Sequence, residues 1–129
     1  MKTKFVWIAL LFAFTAFYIN AAENNLKGTW KLLSTNDQVV PFNQVKLITE
    51  GHFMWSVFDN EGKMLRAAGG KVTMTEKGIY TETIAMGFGG MEQLVGQIFT
   101  LEYEIKDKKM YVKVKAGQYS MNEVWEKID

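Results

Sequence analysis

The sequence predicts an all-β fold, an eight-stranded antiparallel up-and-down β-barrel, and three observations carry that expectation. From Leu26 onward, β-branched and aromatic residues alternate with polar ones in short runs. The runs are separated by Gly, Asn, Asp and Lys pairs, which favour tight turns over long crossovers. The chain has one proline and no cysteine, so strands are seldom interrupted and the domain is held by its core without disulfides. Consecutive antiparallel strands joined by short turns close most easily into a barrel, which removes free edges. A two-sheet sandwich is the competing arrangement.

The first element is a leader. Lys2 and Lys4 precede a fifteen-residue apolar run, Phe5 to Ile19, with Thr15 inside it, followed by Asn20-Ala21-Ala22 and the polar Glu23-Asn24-Asn25. This is the layout of a secretory signal peptide over residues 1–22, with cleavage expected after Ala21 or Ala22. The apolar run is shorter than the roughly 18 to 20 residues of a spanning helix, and an uncleaved anchor is the alternative. Cleavage turns the formal charge of +1 slightly negative and gives an exported protein, secreted or periplasmic, made of residues 23–129.

Eight runs follow, at about 26–34, 43–49, 52–58, 65–75, 79–86, 97–106, 109–116 and 119–128. Their turn signals are Asn36-Asp37, Glu50-Gly51, Asp59-Asn60-Glu61-Gly62, Lys77-Gly78, Asp107-Lys108 and Ala116-Gly117. Two runs show their faces plainly. Phe99, Leu101, Tyr103 and Ile105 share one face of the sixth, and Met110, Val112 and Val114 share one face of the seventh. Glu102 and Glu104 on the outer face of the sixth stand ready to pair with Lys113 and Lys115 of the seventh, a solvated face and not a site. The longest interruption, Gly87 to Gly96, reads as a lid or as a single helical turn at Met91–Val95.

Composition and motifs exclude several functions. Fifteen basic against fourteen acidic residues leave no basic patch for a phosphate backbone, so no nucleic-acid partner is expected. Absence of cysteine removes thiol nucleophiles and zinc–thiolate sites. Gly87-Phe88-Gly89-Gly90 fails as a dinucleotide fingerprint because Glu92 stands at the third glycine position. Gly70-Lys71 fails as a phosphate loop, with Leu65 in place of the first glycine and Val72 in place of Ser or Thr. His52, the single histidine, opens a strand beside a turn, and Ser56 lies about 13 Å further along it at roughly 3.3 Å per residue, too far to share a proton. A haem or acid–base role for His52 is a minor alternative to a rim hydrogen bond. No enzyme activity, cofactor or metal is expected.

The mature chain opens Leu26-Lys27-Gly28-Thr29-Trp30-Lys31-Leu32 and closes Glu123-Val124-Trp125-Glu126-Lys127. The first stretch resembles the Gly-x-Trp first-strand motif of lipocalins and their calycin relatives, and with the leader and size the chain looks like the short secreted lipocalin-like domains of bacteria. The resemblance implies a barrel with one closed end and one open end that takes a small apolar ligand. It implies that Gly28 allows close backbone approach, that Trp30 fills the barrel floor beside Trp125, and that Lys127 stands where the family usually has arginine. Lysine has no planar fork to stack on an indole, so Lys127 either lies over Trp30 weakly or points to solvent.

The candidate ligand-binding residues are Tyr80, Glu82, Trp55, Met54, Met74, Phe99, Tyr103 and Met110, with Met121 beside them. Tyr80, Glu82 and Ile84 share a face of the fifth run. If that face is inward, Glu82 is a carboxylate in an apolar interior that must be paired, protonated or ligand-binding; if the strand is flipped, Thr81 and Thr83 face inward instead. Glu123 poses the same question, and Arg66 or Lys127 are the cations available to neutralise either. The methionines suit an adaptable apolar pocket or simple gap-filling. The function expected is binding of a small hydrophobic molecule without chemistry. The alternative is a filled barrel whose Gly87–Gly96 loop contacts a protein or a glycan, which exposed aromatics such as Phe88 would favour.

Overall fold

Turn chemistry sets the strand order. Asn36 and Asp37 (φ 49° and 66°) and Asp107 and Lys108 (φ 52° and 64°) all lie in the left-handed region, the geometry of two-residue type I′ hairpins. At the fourth turn Asp59 Oδ1 accepts the backbone N–H groups of Glu61 and Lys63, each at 2.9 Å. In the computed structural model, which describes residues 25–129, these turns join β1 (Gly28–Thr35), β2 (Gln38–Val39), β3 (Asn43–Ile48), β4 (His52–Phe58), β5 (Met64–Glu76), β6 (Ile79–Phe88), β7 (Ile98–Lys106), β8 (Lys109–Ala116) and β9 (Tyr119–Lys127). A single-turn 3₁₀ helix, Met91–Leu94, lies between β6 and β7. The expected leader, residues 1–22, lies outside the described residues.

β2 pairs with β1 alone, β1 pairs antiparallel with β3, each strand from β3 to β8 pairs antiparallel with the next, and β1 pairs with β9 from Trp30↔Lys127 to Thr35↔Glu123, so the eight long strands form a closed barrel. The sandwich alternative is thereby removed. The eight expected runs match the eight long strands to within two residues at each end. The ninth strand, β2, was not foreseen: it is two residues long and extends the Asn36-Asp37 hairpin along β1, with Val39 almost fully exposed. The helical turn expected near Met91–Val95 is present. On the outer face, Lys115 and Glu102 form the cross-strand pair expected there, at 2.7 Å.

One end of the barrel is closed. The indole N–H of Trp30 donates to the carbonyl of Leu26 at 2.8 Å, and both residues are fully buried. Gly28 (φ 140°) lies so close to the C-terminal segment that a Cβ there would stand 2.6 Å from the carbonyl oxygen of Asp129. Backbone bonds from Thr29 N–H to Asp129 and from Ile128 N–H to Thr29 complete this seal. The Lys127 ammonium lies 5.7 Å from the centroid of the Trp30 ring, so of the two readings of Lys127 the one over the indole holds. Trp125, Met110, Leu101 and Ile84 continue the core above it. Each large apolar side chain buried in this way contributes about 1.5–3 kcal/mol.

The other end is open. Strand β6 pairs with β7 only from Ile79↔Glu102 to Thr83↔Ile98, and at Ile84 its backbone bonds instead to Gln97 and Gly96 of the connecting segment. The barrel wall therefore parts near residue 84, and the 3₁₀ helix fills the gap with Leu94 and Met91 against the core. Gly87 permits this contact, since a Cβ there would collide with the Met91 carbonyl.

Candidate functional site

Alternation along the paired strands decides which side chains share the interior. Directly opposed residues in an antiparallel ladder project to the same face, so the pairs Val72↔Glu82 and Glu82↔Phe99 place Glu82 beside buried Val72 and beside Phe99, inside. The inward reading of the fifth run is therefore correct. Glu123 stands opposite Val112 and beside Trp125, also inside, and both carboxylates are buried.

A cavity of about 320 Å³ lies above the core, toward the open end. Its walls include Trp55, Phe99, Leu101, Val114, Met121 and Trp125, with Phe42, Gln44, Thr35 and Leu94 toward the mouth. Lys46, Glu82 and Glu123 supply its charged groups. The Lys46 ammonium lies 2.7 Å from Glu82 Oε2, 4.9 Å from the centroid of Trp125 and 5.9 Å from that of Phe53. The Tyr80 hydroxyl reaches the same Glu82 oxygen at 3.4 Å, a long hydrogen bond. The Trp125 indole N–H donates to Glu123 Oε1 at 3.1 Å.

Burial drives the electrostatics of this group. Desolvation holds the Glu123 carboxyl above the usual carboxylate range, reinforced by the charge of Glu82 and opposed by Lys46 and the Trp125 N–H. The Tyr80 phenol is pushed well above its ordinary value, first by burial and then by Glu82 and Glu123. Tyr103 is pushed up by burial as well; its ring meets Tyr80 edge-on at 5.4 Å and its hydroxyl is buried without a hydrogen-bond partner.

The expected site residues divide into three groups. Glu82, Trp55 and Phe99 line the cavity. Tyr80 and Met110 are part of the buried core, with Met74 and Tyr103 packed against it, so they support the cavity without lining it. Met54 is a correction: it stands opposite Leu47, which is 46% exposed, and one position from buried Phe53, so it projects to the outer face. Arg66 and Lys127 are a second correction. Arg66 stacks over Phe42 at 5.5 Å and Lys127 over Trp30, whereas Lys46 is the cation paired with Glu82. The sequence reading missed Lys46 because Val45 and Leu47 flank it, a local pattern that places lysine in water.

A larger groove, about 470 Å³, runs over the outer side of β7, β8 and β9 and is lined by Asp37, Glu102, Lys113 and Asn122 among others. It is an open hollow among mostly solvated side chains, with the buried Val112 and Glu123 also part of its lining. Among the described residues no three His, Asp or Glu side chains are arranged to hold a metal ion, and no helix is long and apolar enough to cross a membrane. His52 is exposed at its strand end.

No curated protein matches the chain. Residues 25–129, the whole barrel with its closing Trp30 and the interior group of Lys46, Glu82 and Glu123, match one family, and the chain belongs to it: the domain of unknown function DUF4488.

Proposed function

We propose that this protein is an exported, lipocalin-like carrier that binds a small hydrophobic molecule inside its barrel and performs no chemistry on it. The observation that carries the reading is the cavity of about 320 Å³ between Trp55, Phe99, Leu101, Val114 and Trp125, whose charged groups are only Lys46, Glu82 and Glu123. Ligand sites are typically apolar hollows of about 300–1,000 Å³ with a few placed polar groups, so the ligand is small, a short chain or a single ring system. The buried group of Lys46, Glu82 and Glu123 in the cavity lining offers the polar contact that orients it. Export is supported by Lys2 and Lys4 ahead of the Phe5–Ile19 run.

Titration of the purified protein with a panel of short alcohols, amines and acids, followed by tryptophan emission, tests the reading. Saturable changes are expected, because Trp55 and Trp125 both line the cavity. They are expected to vanish in Val114→Phe, which fills the cavity from its wall. Saturable binding that is unchanged in Val114→Phe, or no binding at all, contradicts the carrier reading.

A second reading rests on a specific feature of the mouth. Phe88 and Val95 are each 51% exposed and Ile98 60% exposed, an apolar rim on the segment expected to contact a macromolecule if the barrel were filled. Phe88→Ser combined with Val95→Ser would abolish such a contact and leave small-molecule binding intact.

A further inference from the structure

The interior charges do not balance. Among the described residues the buried charged side chains are one lysine, Lys46, and two glutamates, Glu82 and Glu123. Lys46 is committed: its ammonium is 2.7 Å from Glu82, stacked between Trp125 and Phe53, and only 2% exposed. Glu123 is in no ion pair, and its one hydrogen bond comes from the Trp125 indole to Oε1. Yet it lines the cavity at 9% exposure, as do the indoles of Trp55 and Trp125.

We propose, on the footing of the carrier reading, that the head group of the ligand is a protonated amine seated on the free side of the Glu123 carboxylate. An anionic head would face two carboxylates and a lysine already engaged by one of them. A neutral head would leave a buried carboxylate either unpaired or obliged to hold a proton. An ammonium supplies the missing positive charge, and tryptophan rings on the cavity wall favour a cation in addition.

The groups that face Glu123 are few. Lys46 reaches it from β3, Glu82 and Tyr80 from β6, and the Trp125 N–H from its own strand. Its opposed neighbours, Thr35 on β1 and Val112 on β8, carry no charge, and Tyr103 brings a phenol from β7. Strands β4 and β5 present Trp55, Ala68 and Val72 inward, while Arg66 of β5 is held over Phe42 at the mouth. Burial favours the neutral acid in the empty barrel. Binding of an ammonium then displaces the carboxyl proton, which passes to the buffer, and no bond is made or broken in the ligand.

Calorimetric titration of the wild-type protein with octylamine, octanol and octanoate at neutral pH tests the inference. Octylamine is expected to bind at least tenfold more tightly than octanol, with octanoate weakest, and its binding is expected to release protons in buffers of different ionisation heat. In Glu123→Gln, which keeps an acceptor for the Trp125 N–H, the amine-to-alcohol ratio is expected to fall to within about twofold of one. If that variant does not fold, the wild-type ratio followed from pH 4 to pH 8 serves instead and is expected to rise with pH. Octanol or octanoate bound as tightly as octylamine overturns the amine assignment and leaves the carrier reading standing. Failure of all three ligands to bind overturns both.

Discussion

The ammonium of Lys46 and the carboxylate of Glu82, thirty-six residues apart in sequence, meet at 2.7 Å inside the barrel, both almost completely shielded from water. Such a pair is kept by geometry, because each charge is costly without the other. Lys46→Met leaves Glu82 buried and uncompensated, and is expected to cost about 3–5 kcal/mol in urea unfolding. The double variant Lys46→Met with Glu82→Leu is expected to recover most of that loss. A single variant that loses less than about 1 kcal/mol would show that the pair does not form.

Closure of the barrel floor rests on Trp30 and its bond to Leu26. Trp30→Ala is expected to cost about 3–5 kcal/mol through the cavity it leaves. Lys127→Ala is expected to cost only about 0.5–1 kcal/mol, since the lysine over the indole at the closed end is only partly buried. Lys127→Arg, which can stack its planar group on the ring, is expected to be neutral or stabilising. Equal losses for the tryptophan and lysine variants in thermal unfolding would contradict this division.

The buried hydroxyl of Tyr103 has no partner, whereas that of Tyr80 reaches Glu82. Removing an unsatisfied buried group relieves its desolvation, so Tyr103→Phe is expected to be neutral or to stabilise by about 1 kcal/mol. Tyr80→Phe is expected to destabilise by about 0.5–1.5 kcal/mol. Chemical denaturation of the two variants decides, and the reverse order would contradict the assignment.

The acid dependence of stability follows from Glu123. Burial raises its carboxyl above the usual range, so the folded chain holds that proton more tightly than the unfolded chain does. Its favourable contribution is complete below the unfolded value of about 4.3 and is lost as pH rises through the raised folded value. Glu123→Gln removes this loss. The Tm of the variant relative to the wild type is therefore expected to climb between pH 4 and pH 8, and a constant or falling difference would contradict the raised value.

The strand order was legible because its determinants are local. Asn36-Asp37 and Asp107-Lys108 fix two-residue hairpins by their own backbone preferences, and Phe99, Leu101 and Tyr103 alternate cleanly with polar residues. The interior polar group was only half legible. Tyr80, Glu82 and Ile84 share a face by period, but which face is inward is set by pairing with β5 and β7. Lys46 was hidden because apolar Val45 and Leu47 occupy the outer face around it, and its stabilising partner lies on a strand distant in sequence. Met54 misled for the converse reason: the run from Phe53 to Phe58 is apolar on both faces, so alternation alone cannot orient it, and only its position opposite Leu47 does.

On the carrier reading, the cavity between Trp55, Phe99 and Trp125 is the binding site of a small apolar molecule. Native mass spectrometry of the protein purified from its own host, with solvent extraction and identification of any bound compound, tests it most directly. A stoichiometric apolar molecule that is absent from the Val114→Phe variant is the expected result. A protein that is empty from its host, and stays empty when offered lipophiles, would contradict the claim.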